Sequence, residues 1–192
     1  MSYHKLGLLH FDVFKAVMND PDADLARVLD NALRRRYGVK MPAQLVRHLL
    51  DSQQVKARSV NIRGVRATGN TLEEMHYQVH RYAPTFPDWK KRLERSPANV
   101  RRVIRENEAN IAHAGKILAD LDALKDTLPA KAYRDFKASF EVLNRLVRTS
   151  GSRRALLFLF WAIKDGRVPF DIETVRRIEK LMEASAPKDS RN

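Results

Sequence analysis

The chain has 192 residues, a mass of 22.1 kDa and no cysteine, which excludes disulfides, thiolate nucleophiles and cysteine-based zinc fingers. Hydrophobic residues make up 44% and charged residues 31% of the chain, a balance that excludes a wholly disordered protein. The 36 lysines and arginines exceed the 23 acids, and the resulting net charge of +13 favours either a polyanionic partner or a solvated basic surface.

The apolar spacing of the first 95 residues predicts short helices separated by turns. The first helix ends at Asn19-Asp20-Pro21, because the residue before a proline disfavours the α conformation. Asp22 or Asp24 can cap the second helix, and Gly38 can close it in the left-handed conformation. These signals are local, so they predict the helix ends more directly than the packing.

Two further helices are predicted before residue 95. Pro42 suits the first position of a third helix, which continues until about Asn61. The segment Thr71-Leu72-Glu73-Glu74 has the pattern of a capping box and predicts the start of a fourth helix. Residues 83–89 contain two prolines and are predicted to form a loop.

Residues 96–184 have the pattern of long paired helices. Ser96-Pro97 starts the longest periodic segment, in which Ile104, Ile111 and Leu118 recur every seven residues. Pro129 starts its partner helix, and the two predicted helices, near 97–126 and 130–165, should pack antiparallel at a shallow angle. The apolar residues of the partner alternate three and four apart: Tyr133, Phe136, Phe140, Leu143 and Val147.

Turn residues divide the remainder of this half. Ser150-Gly151-Ser152 predicts either a kink or one long helix with a small-residue contact. Asp165-Gly166 should end that helix, and Asp171 should cap the last one. We therefore expect an all-α protein, a helical bundle of about six to seven helices with a long antiparallel helix pair. Residues 1–184 should form a single helical domain, with short helices and loops in 1–95, long paired helices in 96–184 and a frayed tail in 185–192.

The basic residues cluster in two windows. Residues 34–66 contain nine bases and one acid, and residues 90–105 contain seven bases and one acid. If the bases share a face, they can contact the phosphates of a nucleic acid. Few aromatic residues lie nearby to stack on bases, namely Tyr37, Tyr82 and Trp89. The candidate polyanion-binding residues are Arg34, Arg35, Arg36, Arg58, Arg63, Arg66, Arg101, Arg102 and Arg105.

No constellation of residues predicts an independent active site. His76 and His80 are four apart on a predicted helix and could face one metal ion, but the sequence shows neither a third ligand nor the glutamate of a zinc protease motif. The acids of residues 20–24 lack the glycine and the glutamate of a calcium loop, since Leu25 and Asn31 occupy those positions. We expect no catalytic residue, no metal and no cofactor in this chain.

The longest apolar run, residues 155–163, has nine residues and is too short to span a membrane. The N-terminal segment also lacks the long apolar stretch and cleavage site of a secretory signal. We therefore expect a cytoplasmic protein that does not bind a membrane.

Several short segments occur in an order that resembles a known family. They are Asn19 to Asp24, Arg35 to Gly38, Pro42, Gly69 to Leu72, His76 to His80, and Leu128 to Tyr133. Together they resemble the C-terminal helical region of large glycoside hydrolases of the α-glucuronidase type and their relatives, where this region follows a (β/α)8 barrel. The resemblance covers most of the chain. Two features depart from it, since the barrel with its catalytic carboxylates is absent and the chain is strongly basic.

The resemblance implies a non-catalytic accessory module of a carbohydrate-active enzyme, either detached or truncated. In such enzymes the helical region packs on the barrel, can contribute to dimerisation and can wall one side of the substrate cleft. The partner would then be a (β/α)8-barrel catalytic domain or a second copy of the chain. The alternative function is that of a basic protein that binds nucleic acid or another polyanion.

Overall fold

A computed structural model describes residues 7–62, 65–66 and 94–183 of the chain. The prediction of an all-α helical bundle is confirmed there. Among the described residues, the only strands are two of two residues each, Asn61–Ile62 and Val65–Arg66, which pair antiparallel. The helices are α1 (Gly7–Asn19), α2 (Leu25–Tyr37), α3 (Ala43–Val60), α4 (Pro97–Ala123), α5 (Ala130–Leu146), α6 (Ser152–Lys164) and α7 (Ile172–Glu183).

The predicted helix caps are largely confirmed. Of the two alternatives at α2, Asp24 is the cap, because its carboxylate accepts hydrogen bonds from the backbone N–H groups of Ala26 and Arg27 at 2.9 and 3.4 Å. Gly38 has a φ of 77° and ends the helix in the left-handed conformation. Asp171 accepts a hydrogen bond of 3.1 Å from the backbone N–H of Glu173 at the start of α7.

The prediction for Pro42 was wrong by one position. The helix α3 begins at Ala43, and the Pro42 carbonyl accepts hydrogen bonds from the backbone N–H groups of Leu45 and Val46 at 2.9 and 3.3 Å. Pro42 is therefore the residue just before the helix, and its carbonyl accepts the first hydrogen bonds of the first turn. The predicted fourth helix from Thr71, the loop of residues 83–89 and the tail of residues 185–192 lie outside the described residues.

The chain divides into two compact units. The first unit comprises residues 1–54 and 114–143, and the second unit comprises residues 55–113 and 144–192. These bounds differ from the sequence halves 1–95 and 96–184, because the turn end of the α4–α5 hairpin belongs to the first unit and its open end to the second. The single-domain organisation of residues 1–184 stays a prediction.

The core of the first unit is aliphatic and aromatic. The ring centroids of Phe136 and Phe140 on α5 lie 5.8 Å apart, and Phe140 is only 2% exposed. The antiparallel pairing of α4 with α5 is visible at Asp122, which accepts hydrogen bonds from the Tyr133 hydroxyl at 2.8 Å and from Lys137 Nζ at 2.7 Å. On the α4 segment of this unit the buried residues are Ala114, Ile117 and Leu121, whereas Leu118 is half-buried.

The second unit has an apolar core and a buried polar contact between α4 and α6. Its apolar core joins Val103 of α4, Phe158 of α6 and Ile178 of α7. Close to that core, the buried Asn107 side chain donates a hydrogen bond of 3.0 Å to the buried Ser152 hydroxyl.

A π-helical turn, Val147–Gly151, connects α5 to α6 without a break. The helix is therefore continuous through Ser150-Gly151-Ser152, and the buried Ser152 contacts Asn107. The alternative of a kink at this segment stays a prediction.

Candidate functional site

The net charge is divided unequally between the two units. The sequence of the second unit contains 23 bases and 12 acids, a net charge of +11, whereas that of the first unit contains 13 bases and 11 acids, a net charge of +2. The basic window of residues 34–66 crosses the boundary between them. The bases of this window before residue 55 belong to the first unit, where the numbers of bases and acids are nearly equal. The candidate polyanion surface therefore belongs mainly to the second unit.

The arginines at the end of α2 have different environments. Arg34 and Arg35 are exposed, and an Arg35 Nη atom lies 3.9 Å from an Asp12 carboxylate oxygen. The Arg36 side chain is only 22% exposed and lies 3.6 Å from the carboxylate of Asp135. Arg36 therefore stabilises the packing of α2 against α5, while Arg34 and Arg35 remain accessible to a ligand.

Asp135 is the centre of a charged cluster in the first unit. Its side chain is 8% exposed, and its Oδ2 atom accepts hydrogen bonds of 3.1 Å from both the Tyr37 hydroxyl and Lys131 Nζ. Burial alone would raise the pKa of Asp135, but the hydrogen bonds from Lys131 and Tyr37 and the nearby positive charges outweigh it and lower that pKa. Burial, as the largest cause, raises the pKa of Tyr37 to about 12. The cluster holds α2 and α5 together.

The first unit contains a second cluster of polar side chains, which lies around the buried His48 of α3. Its Nε2 atom lies 3.0 Å from Asp120 Oδ2 on α4, and Lys116 Nζ donates to the same carboxylate oxygen at 2.8 Å. The hydrogen bond from Lys116 is the largest cause of the lowered pKa of Asp120, followed among the lowering contributions by a hydrogen bond from Gln44. One histidine and one carboxylate are too few for a metal site, and residues 7–62, 65–66 and 94–183 contain no group of three potential metal ligands.

The exposed arginines of the second unit lie on α4. Arg101 and Arg105 are one helical turn apart, both are exposed, and neither has an ion-pair partner among the described residues. Arg102 between them is half-buried, pairs with Glu106 and donates a hydrogen bond of 3.0 Å to Asn99 Oδ1. Of the three predicted arginines on this helix, Arg101 and Arg105 are thus free to contact a phosphate, and Arg102 is engaged within α4.

Sequence reasoning missed two exposed phenylalanines in the second unit. Phe160 on α6 is 39% exposed, and Phe170 in the loop before α7 is 62% exposed. The predicted stacking residue Tyr37 is instead half-buried, with its ring centroid 6.1 Å from that of Phe136. In the sequence, Phe160 looks like part of a continuous apolar run, but the Pro169-Phe170-Asp171 segment between two helices was a usable signal of an exposed ring.

Several predicted site residues lie outside the described part of the chain. The side chains of Arg58, Arg63 and Arg66 are among them, and so are His76, His80, Tyr82 and Trp89. Their proposed roles stay predictions. Within the described helices, none is both long and apolar enough to cross a membrane.

Comparison with known proteins assigns no family to the chain. It matches no family model, no curated protein sequence and no solved structure.

Proposed function

We propose that the chain is a non-catalytic nucleic-acid-binding protein whose second unit contacts the phosphate backbone. The observation that supports this function best is the concentration of net charge in that unit, +11 of the total of +13. Arg101 and Arg105 present this charge on one exposed face of α4. A surface of this kind attracts a polyanion by long-range electrostatics and binds it by displacing counterions.

The expected binding is largely independent of sequence. Arginine contacts to phosphates position a protein on a nucleic acid, whereas sequence is read through contacts to base edges. Of the described residues around Arg101 and Arg105, Ala98, Ala109 and Ala112 share the exposed face of α4. Alanine side chains cannot donate hydrogen bonds to base edges, so this face supports phosphate contacts without direct readout.

A gel-shift titration with duplex DNA at ~100 mM salt tests this proposal. We expect sub-micromolar binding by the intact chain and a large loss of affinity in the double variant Arg101→Ala/Arg105→Ala. Arg34→Ala/Arg35→Ala is the matched control, because it removes the same charge from exposed positions of the first unit. Absence of a shift at tens of micromolar protein, or equal losses in both variants, would contradict the proposal.

The accessory-module function is a second proposal, favoured by an exposed apolar pair on α1. Phe14 and Met18 are four residues apart and are 64% and 67% exposed. Such a pair can pack against a second copy of the chain or a barrel domain, and the carbohydrate chemistry rests on the resemblance alone. Self-association in sizing chromatography that disappears in Phe14→Ser/Met18→Ser would support it. A clean monomer at high concentration would count against self-association, and hydrolysis of aryl glucuronides by the purified chain would contradict a non-catalytic role.

A further inference from the structure

The C-terminal end of α6 combines exposed rings with exposed cations. Phe160 is followed four residues later by Lys164, and Phe170 follows Arg167 by three residues; both cations are exposed. All four residues belong to the second unit, which carries the excess positive charge. The candidate polyanion surface therefore includes aromatic side chains as well as arginines.

The loop after α6 is held against the last turn of that helix. The backbone N–H groups of Arg167 and Val168 both donate to the Ala162 carbonyl, at 2.8 and 3.3 Å, and Gly166 has a φ of 66° that permits the reversal. Val168 packs against the apolar core of the second unit. These contacts hold Arg167 and Val168 at the end of α6 that carries Lys164, and Phe170 follows Val168 by two residues.

The acids next to these cations already have partners. Asp165 lies between Lys164 and Arg167 in the sequence, and its carboxylate is 2.9 Å from Arg95 Nη1. Asp171 caps α7, and the hydrogen bond from the Thr174 side chain is the largest cause of its lowered pKa. Lys164 and Arg167 are therefore available to an external anion.

We infer that this end of the second unit, formed by Phe160, Lys164, Arg167 and Phe170, binds single-stranded nucleic acid. This inference rests on the proposed function and makes it more specific. Phosphates complement the two cations, and the faces of unpaired bases stack on the two rings. The bases of a duplex are already stacked on each other, so a duplex can use the cations but not the rings. The rings thus favour a single strand over a duplex of equal length.

Fluorescence anisotropy at ~100 mM salt can test this, with a labelled oligothymidylate of about 20 nucleotides and a duplex of the same length as probes. The variant is Phe160→Ala/Phe170→Ala. We expect its affinity for the single strand to fall by about fivefold or more for each ring that stacks on a base. Its affinity for the duplex should change by less than about twofold, because the cations remain.

Phe14→Ala is the control, because it removes from the first unit a ring that is 64% exposed, close to the 62% of Phe170, and it should change neither affinity. Phe170→Trp should retain binding to the single strand, because an indole also stacks on bases. Circular dichroism should show the wild-type helix content in every variant. Equal losses for both probes, or no loss for the single strand, would overturn the inference while leaving the proposed function intact. No binding of either probe would overturn both.

Discussion

The two units use their charged residues in different ways. In the first unit, bases and acids are nearly equal in number, and several pair across helices, such as Arg36 with Asp135 and Lys137 with Asp122. In the second unit the bases outnumber the acids by 11, so even complete pairing would leave an excess of cations. A basic window in a sequence therefore predicts a binding surface only when the acids folded around it are known.

The units also differ in their buried polar groups. The first unit buries a carboxylate, Asp135, which several donors stabilise. The second unit buries the cation of Arg154, whose Nη2 atom lies 3.8 Å from Glu106 Oε2, and the neutral Asn107 and Ser152 as a hydrogen-bonded pair. The free energy of unfolding should therefore depend on pH through the titration of Asp135 in the first unit, whereas the Asn107–Ser152 contact of the second unit contains no titratable group.

The largest expected effect is on the aromatic core of the first unit. Phe140→Ala removes a buried ring that packs on Phe136 and should lower the free energy of unfolding by roughly 3–5 kcal/mol. Phe14→Ala removes an exposed ring from the same unit and should cost less than about 0.5 kcal/mol. Urea denaturation measures both changes. A cost below about 1 kcal/mol for Phe140→Ala would show that its ring is not in the core.

The next largest effect concerns the buried carboxylate. Asp135→Asn removes the charge that Lys131, Arg36 and Tyr37 stabilise, and it should lower the free energy of unfolding by about 2–3 kcal/mol. Asp122→Asn is the control, because that carboxylate also bonds a lysine and a tyrosine but is about half-exposed; its cost should stay within about 1 kcal/mol. Similar losses of unfolding free energy for both variants would contradict the claim that the buried carboxylate contributes more to stability than the exposed one.

Tyr37 and Asp135, which share a hydrogen bond, should affect the free energy of unfolding at opposite ends of the pH scale. The lowered pKa of Asp135 stabilises the fold above its unfolded value of 3.8, and this contribution disappears as the pH falls through the folded pKa. The raised pKa of Tyr37 stabilises the fold below 10.0, and this contribution disappears as the pH rises through about 12. Tyr37→Phe should cost about 1.5 kcal/mol at neutral pH. It should remove the alkaline part of the pH profile of the unfolding free energy and weaken the acidic part, because the hydrogen bond from the Tyr37 hydroxyl helps to lower the pKa of Asp135.

The smallest effect is expected at the cap of α2. Asp24→Ala removes the acceptor for two backbone N–H groups and should cost about 1 kcal/mol. Asp22→Ala is its control, because Asp22 was the alternative cap in the sequence and its carboxylate makes no capping contact in the described structure. Thermal unfolding followed by circular dichroism measures both, and an equal loss for Asp22→Ala would contradict the assignment of the cap.

The features that sequence predicted well are local ones. Asp24, Gly38 and Asp171 act within a few residues of their own positions, so their chemistry determines the helix ends. The contact of Tyr37 with Asp135 joins residues 98 positions apart and has no local signal. For the same reason, the sequence did not predict that Phe160 is exposed at the candidate site. The exposure of Phe160 depends on which face of α6 packs inward, and the apolar run around it does not show that face.

The salt dependence of binding tests the central claim most directly. On one duplex, log K should fall with log salt at a slope of about −0.9 for each phosphate that a cation neutralises. The claim predicts that Arg101→Ala/Arg105→Ala makes the slope shallower by about 1.8, whereas Arg34→Ala/Arg35→Ala leaves it unchanged. An unchanged slope for Arg101→Ala/Arg105→Ala, or a shallower slope only for Arg34→Ala/Arg35→Ala, would contradict the claim that the second unit carries the polyanion surface.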